Sequence, residues 1–473
     1  MSLPVITVEQ MRAWEAAAWA AGQSETEVIR RVSLALGEVA LRWSRQGDGI
    51  LVLAGKGHNG DDARAALPHL HGRRSTLLTI NDPARQLGEL RAALDYSPAL
   101  IIDGLFGIGL NRPLDAAWQE LIQEVNRAAV PVLAVDVPSG LNADTGDTFG
   151  AAVHAQVTLT VGAPKAGLLK ASAQPFVGRL EVTGDVGLGP CPVREAELWW
   201  TTREDFRRFP PARAAAAHKG DFGHLAIVAG SLGYHGAAVL AARSAQRAGA
   251  GLVTLHTVGD AYHPAAAQLQ GAMVRPWMAE TKLSAPFSAV LIGPGLANVT
   301  DADQFPLTTR RLWRDSEIPV IVDASALDWL PAESPFPKHF LRVITPHPGE
   351  AARLLKLPVA QVQANRVFAV RELSRRFGHC WVVLKGHQTL IGRSTGEIFI
   401  NSTGNPRLAQ GGTGDALAGY LAGLLAQPPL QADPGRALRY AVWQHGAAAD
   451  LLSARQPNWI ADELTAALGA VPA

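Results

Sequence analysis

The stretch AQGGTGDALAGYLAGLLA, residues 409–426, places Gly411, Gly412, Thr413 and Gly414 directly before Asp415, and an apolar helical pattern follows at once. Glycines adopt dihedrals closed to other residues and let backbone N–H groups approach a ligand. A glycine turn at a helix N-terminus is an anion site, because its unpaired N–H groups and the helix dipole point outward. Asp415 then sits beside the anion, where a carboxylate can take the proton of a hydroxyl attacking a phosphoryl group. It reads equally as a helix cap, since Asp is favoured there. Other strand-end segments share this character. ITPHPGEAARLL carries His347 and Glu350, VVLKGHQTLI carries Lys385 and Gly386, LIGPGL carries Gly293 and Gly295, and GSLGYHGAA supplies another glycine turn. Strand ends are where α/β domains bind ligands. Singly, His347 reads as a loop histidine and Lys385 as a snorkelling side chain. Packing alone does not explain so many such turns, and together they indicate a phosphoryl-transfer site.

A second set lies earlier. LAGKGHNGDDARAALPHL leaves a strand-like run and enters a helix, a phosphate-binding context without the dinucleotide glycine spacing. IIDGLFGIGLNRPL places Asp103 before a glycine loop, and VDVPSGLNADTG places Asp136, Ser139 and Asp144 at another strand end. Each of these also forms turns, Asp144 in NADTG especially.

Alternating elements must position these groups. ILVLAG (50–55), STLLTI (75–80), ALIIDGLFG (99–107), VPVLAVDVPSG (130–140) and VTLTVGAPK (157–165) read as buried strands, with helical segments such as ARQLGELRAALDY and DAAWQELIQEVNRA between them. That alternation predicts a parallel sheet with helices on both faces, a Rossmann-like three-layer α/β domain. Pro-, Gly- and Arg-rich segments around 187–217 break the pattern, so the boundary is expected near residue 205. The pattern restarts with HLAIVAGS (224–231), a helix in GAAVLAARSAQRAG stopped by Gly249, and strands in LVTLHTV, AVLIGPG, PVIVDASAL, RVITPHPG and WVVLKGHQTLIG (381–392). The expected domains are 1–205 and 206–473. In the helix after Asp415, Leu417, Leu421 and Leu424 share a face, and Gly419 and Gly423 allow close packing.

The chain has 473 residues, 48% apolar and 18% charged, with net charge +1, two cysteines and no basic block or acidic tail. A folded globular protein follows, with no reason to expect nucleic-acid or anionic-membrane binding. Cys191 and Cys380 lie far apart, which argues against a disulfide framework and for a reducing cytoplasm. The start, MSLPVITVEQMRAWEAAAWAAG, reads as an amphipathic helix and not as a signal peptide, and no apolar run is long enough to span a bilayer.

Residues 218–473 resemble the ribokinase-like superfamily, and within it the ADP/ATP-dependent NAD(P)H-hydrate dehydratases. HKGDFGHLAIVAGSLGYHGAAVLAARSAQRAGAGLV, VLIGPGL, TPHPGEAARLL, LKGHQTLI and NPRLAQGGTGDALAGYLAGLLA carry the likeness in order. The resemblance implies a ribokinase-like α/β/α fold. It implies that Gly411, Gly412, Thr413 and Gly414 form the anion hole and that Asp415 is the base at the hydrate hydroxyl. His347, Ala237 and Gly295 would contact the hydrated nucleotide. Lys385, Gly386, His387, Gln388, Thr389 and Gly414 would hold ADP or ATP, and Glu350 would organise Mg2+ through water.

Residues 5–200 resemble the NAD(P)H-hydrate epimerases. The family's first loop reads NNGGDG; here it is His58, Asn59, Gly60, Asp61, Asp62 and Ala63, departing at His58, Asp61 and Ala63. Asp61 adds negative charge where a phosphate would sit, unfavourable unless the side chain points away. By the same resemblance Asn59, Asp103 and Ser139 would hold K+, for which oxygen ligands are suited. His58–Asp62 would line the substrate, and Gly107, Ile108, Gly109, Leu110, Asn111, Arg112 and Pro113 would wrap its phosphates. Asp136 would serve in acid–base epimerisation at C6, with Lys165 of GAPKAG as a helper. The implied protein is a bifunctional repair enzyme acting on NADHX and NADPHX, a homo-oligomer in the cytoplasm. Two alternatives stand beside it: a small-molecule alcohol kinase, and a first domain that only binds or oligomerises.

Overall fold

The computed structural model describes residues 2–278, 281–284, 286–299, 304–331 and 340–472. Two compact units divide between Glu197 and Leu198. This is earlier than the boundary expected near residue 205, because Leu198–Trp200 pairs in parallel with Ile398–Ile400 and so belongs to the later sheet.

In the first unit six parallel strands are ordered Arg74–Thr79, Gly49–Ala54, Leu100–Gly104, Val132–Val135, Val157–Val161 and Arg179–Thr183. Successive strand side chains point to opposite faces. Ile50, Val52, Ile102 and Leu133 enter a core with Leu36 and Trp14, whereas Leu51, Leu53 and Ile101 enter another with Leu121 and Ile122. Helices Val8–Ala20 and Glu25–Arg42 supply the first core and Ala116–Arg127 the second, which makes the three layers. The expected strands therefore exist, but they stop where the glycine and proline loops begin: VPVLAVDVPSG contributes only Val132–Val135.

In the second unit the sheet runs Leu198–Trp200, Ile398–Ile400, Leu390–Gly392, Trp381–Leu384, Arg342–Ile344, Val320–Val322, Ala289–Ile292, His224–Val228, Leu252–Thr257 and Met273–Pro276. WVVLKGHQTLIG, expected as one strand, is an antiparallel hairpin. Gly386 and Gln388 take positive φ, 126° and 52°, and the chain reverses there. The helix Thr413–Leu425 is buried nearly all round, not on one face alone: Tyr420 and Leu425 are covered as well as Leu417, Leu421 and Leu424. It lies tightly on the helix His235–Arg247, where a Cβ at Gly419 would overlap the Ala241 carbonyl oxygen. No helix of the described residues is long and apolar enough to cross a membrane.

Candidate active sites

In the second unit Gly412 caps the helix Thr413–Leu425 in a left-handed conformation, φ 91°, which turns the glycine loop into the helix start. Asp415 lies in the first turn. The neighbouring strand end brings Lys385 to it, and a Cβ on Gly414 would stand 3.6 Å from Lys385 Nζ. Lys385 Nζ donates to Asp323 Oδ1 at 2.8 Å and lies 4.0 Å from Glu350 Oε2. Asp323 Oδ1 also accepts from Thr345 Oγ1 at 2.6 Å. Burial and the negative charges of Asp323 and Glu350 push the Asp415 carboxyl up to about 7, against the opposing pull of Lys385. Burial pulls the Lys385 ammonium down, but Asp323, Glu350 and Asp415 outweigh it and hold it above its ordinary value. The result is a carboxyl poised near neutrality beside a fixed cation, at a helix N-terminus.

His347 has a structural task at the same place. Its Nδ1 accepts from the Gly349 and Glu350 N–H groups, capping the helix Pro348–Leu355, while Glu350 Oε2 accepts from the His347 N–H at 2.7 Å. The imidazole remains half exposed, 52% of its side-chain surface, with Nε2 3.5 Å from Glu350 Oε1. Gly295 and Ala237 meet: a Cβ on Gly295 would lie 2.9 Å from Ala237 Cβ. The hairpin turn Lys385–Thr389 is braced by Arg366, whose guanidinium donates to the Leu384, Lys385 and His387 carbonyls.

In the first unit Asp136 leaves its strand with φ 62°, a left-handed conformation uncommon for a side-chain-bearing residue. Asp136 Oδ1 accepts from Lys165 Nζ at 2.5 Å, Thr160 Oγ1 at 3.0 Å and the Val161 N–H at 2.9 Å. Lys165 is fully buried, and the backbone beside it is fixed by Ile6, whose carbonyl accepts from the Ala166 N–H. Asp62 faces this group. Burial, Asp136, Asp61 and Glu15 push its carboxyl up to about 8. Glu15 of the first helix is raised too, by burial and Asp136. Asp144 does not join them; its Oδ1 accepts the Val8 N–H at the start of that helix.

Asn59, Asp103 and Ser139 do converge. Ser139 Oγ donates to Asp103 Oδ1 at 2.6 Å, and Asn59 Nδ2 donates to the Phe106 and Val135 carbonyls at 2.9 and 3.0 Å. Asp103 is completely buried and raised by that burial. Gly107 begins its loop against Asn59, whose Oδ1 lies 3.0 Å from where a Gly107 Cβ would be. The altered first loop is accommodated. Asp61 is paired with Arg64 at 2.8 Å, and His58 turns outward to Glu25. Ala63 is buried where Gly104 provides the room its Cβ needs. Gly60 has no such freedom, because a Cβ there would overlap the Gly55 carbonyl oxygen.

Family models match both units: NAD(P)H-hydrate dehydratase over residues 225–470, and YjeF-related protein N-terminus over residues 76–167. The bifunctional NAD(P)H-hydrate repair enzyme Nnr of Gloeobacter violaceus is 34% identical, with 99% of this chain and 97% of that one aligned. The chain belongs to the bifunctional NAD(P)H-hydrate repair enzyme family. The enzyme of the same name from Escherichia coli is 35% identical over 86% of this chain and 81% of its own. Among solved structures, the ADP/ATP-dependent NAD(P)H-hydrate dehydratase of Bacillus subtilis, crystallised with ATP and Mg2+, is 34% identical. It matches 57% of this chain and 95% of its own, with TM-score 0.51. The ribokinase-like fold expected for the second unit holds.

Sequence reasoning missed Asp323, Glu15 and Arg366 as site neighbours. Asp323 follows the strand Val320–Val322 within PVIVDASAL, so a strand-end carboxylate was the available signal. Glu15 and Arg366 lie on helices and carry no such mark.

Proposed function

We propose that this chain repairs hydrated nicotinamide nucleotides: its first unit interconverts the R and S forms of NADHX and NADPHX, and its second dehydrates the S form using ADP or ATP. The observation that carries this is Asp415, held near neutrality beside Lys385 at a glycine-capped helix start, in a chain aligned end to end with bifunctional relatives. Gly411, Gly412, Thr413 and Gly414 offer N–H groups to the transferred phosphate, and Asp415 takes the proton of the C6 hydroxyl as its oxygen attacks phosphorus. Phosphate is a far better leaving group than hydroxide. The C6–O bond then breaks with help from the ring nitrogen lone pair, C5 loses a proton, and the dihydropyridine returns. Lys385, Gly386, His387, Gln388 and Thr389 hold the nucleotide, while His347, Ala237 and Gly295 contact the hydrate.

Mg2+ bound to the donor phosphates would neutralise charge there, with Glu350 placed to hold its waters. In the first unit Asp136 is the acid–base group for exchange of the C6 hydroxyl between faces. Asn59, Gly60 and Asp62 line the nucleotide, with His58 and Asp61 at its edge turned to Glu25 and Arg64, and residues 107–113 wrap its phosphates. Asp103, Ser139 and the Phe106 and Val135 carbonyls, which accept from Asn59 Nδ2, would supply oxygens suited to K+, with Asn59 turning its Oδ1 to the ion. Both cysteines are unpaired, in keeping with a cytoplasmic site of action. An alcohol kinase with an inert first unit is not favoured, since relatives match across both units.

The test is recovery of dihydronicotinamide absorbance from mixed R/S NADHX with Mg2+, K+ and either ADP or ATP, wild type beside Asp415→Asn. Full recovery with one donor, lost in the variant, supports both activities and names the donor. Consumption of the S form alone removes the epimerase. No recovery with either donor sinks the dehydratase.

A further inference from the structure

The loop before Asp415 is clamped by one face of the helix Pro434–Arg455. Thr403 Oγ1 donates to the Trp443 carbonyl at 2.8 Å. The Gly404 N–H and Asn405 Nδ2 donate to Asp450 at 3.0 and 2.9 Å. Gly446 lies between these contacts, and a Cβ there would overlap Thr403. In the middle stands His445, 8% exposed, with Nε2 2.9 Å from the Thr413 carbonyl oxygen. A carbonyl only accepts, so Nε2 carries the proton and donates. Burial pushes the imidazole down to about 4, with Lys385 adding to the shift, so it stays neutral through the physiological range.

Thr413 C=O and Gly414 N–H belong to one planar trans peptide and point in opposite directions. Fixing the carbonyl toward His445 therefore aims the Gly414 N–H away from it, toward the anion hole beside Lys385. The peptide opens the helix, and Thr413 Oγ1 also anchors it by donating to the Leu408 and Gln410 carbonyls at 2.9 and 3.1 Å, while Gly411, Gly412 and Gly414 bring no side chains to hold it. We propose that His445 is a positioning residue for phosphoryl transfer, which locks the Thr413–Gly414 peptide so that its N–H faces the transferred phosphate. The inference rests on the dehydratase reading. His445 never touches substrate; it acts through a backbone donor. A donor left mobile is not aligned with the charge that develops in the transition state, and removing one such donor outright costs ~10²–10³ in kcat.

Three variants test this. His445→Gln keeps an amide donor at the place of Nε2, His445→Asn places it too far back, and His445→Leu removes it. Each is compared with wild type for kcat and KM with NADHX, for MgATP affinity by calorimetry, and for thermal unfolding. The expected result is a roughly 10–100-fold fall in kcat for Asn and Leu, with KM for NADHX within about threefold of wild type, and most of the rate retained by Gln. MgATP should bind roughly tenfold more weakly to Asn and Leu than to Gln or wild type. Equal kcat in all four proteins overturns the proposal. So does a Gln variant that falls as far as Leu, or a loss that follows unfolding temperature and not the donor. If Leu fails to fold, Asn against Gln decides it. A wild type without dehydratase activity refutes the reading beneath; MgATP affinity across the variants then still judges His445.

Discussion

Replacing Asp415 by Asn should abolish dehydration and, at alkaline pH, make the second unit more stable. The carboxyl is raised from 3.8 to about 7, chiefly by burial and then by Asp323 and Glu350. That is about three units, or ~4 kcal/mol at 1.36 kcal/mol per unit, as an upper bound on the cost of its charge in the folded state. Between the two values the folded chain binds more protons than the unfolded one, so stability is full below about pH 4 and falls as pH rises through about 7. Asn carries no charge at any pH. Relaxation and water entry reduce buried-charge costs, so a gain of ~2 kcal/mol at pH 8 is expected, and almost none at pH 4. For a unit of this size that is roughly 4–8 °C in unfolding temperature. The catalytic counterpart is the acidic limb of kcat/KM in the wild type, which reports the free enzyme. Only ionised Asp415 takes a proton, so the rate should fall tenfold per pH unit below about 7 and level off above it. Asp323→Asn removes the charge that raises Asp415 most and should move that limb about one unit lower. Thermal scans at pH 4 and pH 8, with a pH–rate series, check both. A limb near pH 4, or an Asn variant with no alkaline stabilisation, would refute the reasoning.

Asp136→Asn should stop nucleotide-independent R/S exchange while leaving S-form dehydration intact, as read by chromatography of the two epimers. Lys165→Met should destabilise the first unit by about 3–5 kcal/mol in denaturant unfolding, because Asp136 is left buried without its cation. Asp62, pushed up to about 8, obeys the same sign as Asp415: stability declines as pH rises toward 8, so Asp62→Asn should unfold at a higher temperature than wild type at pH 9 and not at pH 4. Gly60→Ala should cost the epimerase activity, since the added methyl collides with the Gly55 carbonyl, whereas dehydratase rates persist.

By itself the sequence determined the local side of this protein. Alternating β and α patterning set two α/β units, because buried parallel strands must be apolar on both faces. Glycine-rich strand ends marked where the chain could approach a ligand, since only glycine takes those dihedrals cheaply. Asp415, Lys385, Asp136 and Asp103 were all found that way. What the sequence left open was who meets whom. That Asp415 stands inside the first helical turn, capped by Gly412, and that its carboxyl is raised by burial and then by Asp323 and Glu350, depends on residues far away in the chain. Asp61 in the altered loop reads as a liability until Arg64 is seen beside it, and Ala63 until Gly104 is seen to make room. Asp144 read as a turn former or a strand-end carboxylate; it sits in a turn, and its side chain holds the start of the first helix. Burial, charge pairing and steric room are sums over neighbours distant in sequence, so only the tertiary structure could decide them.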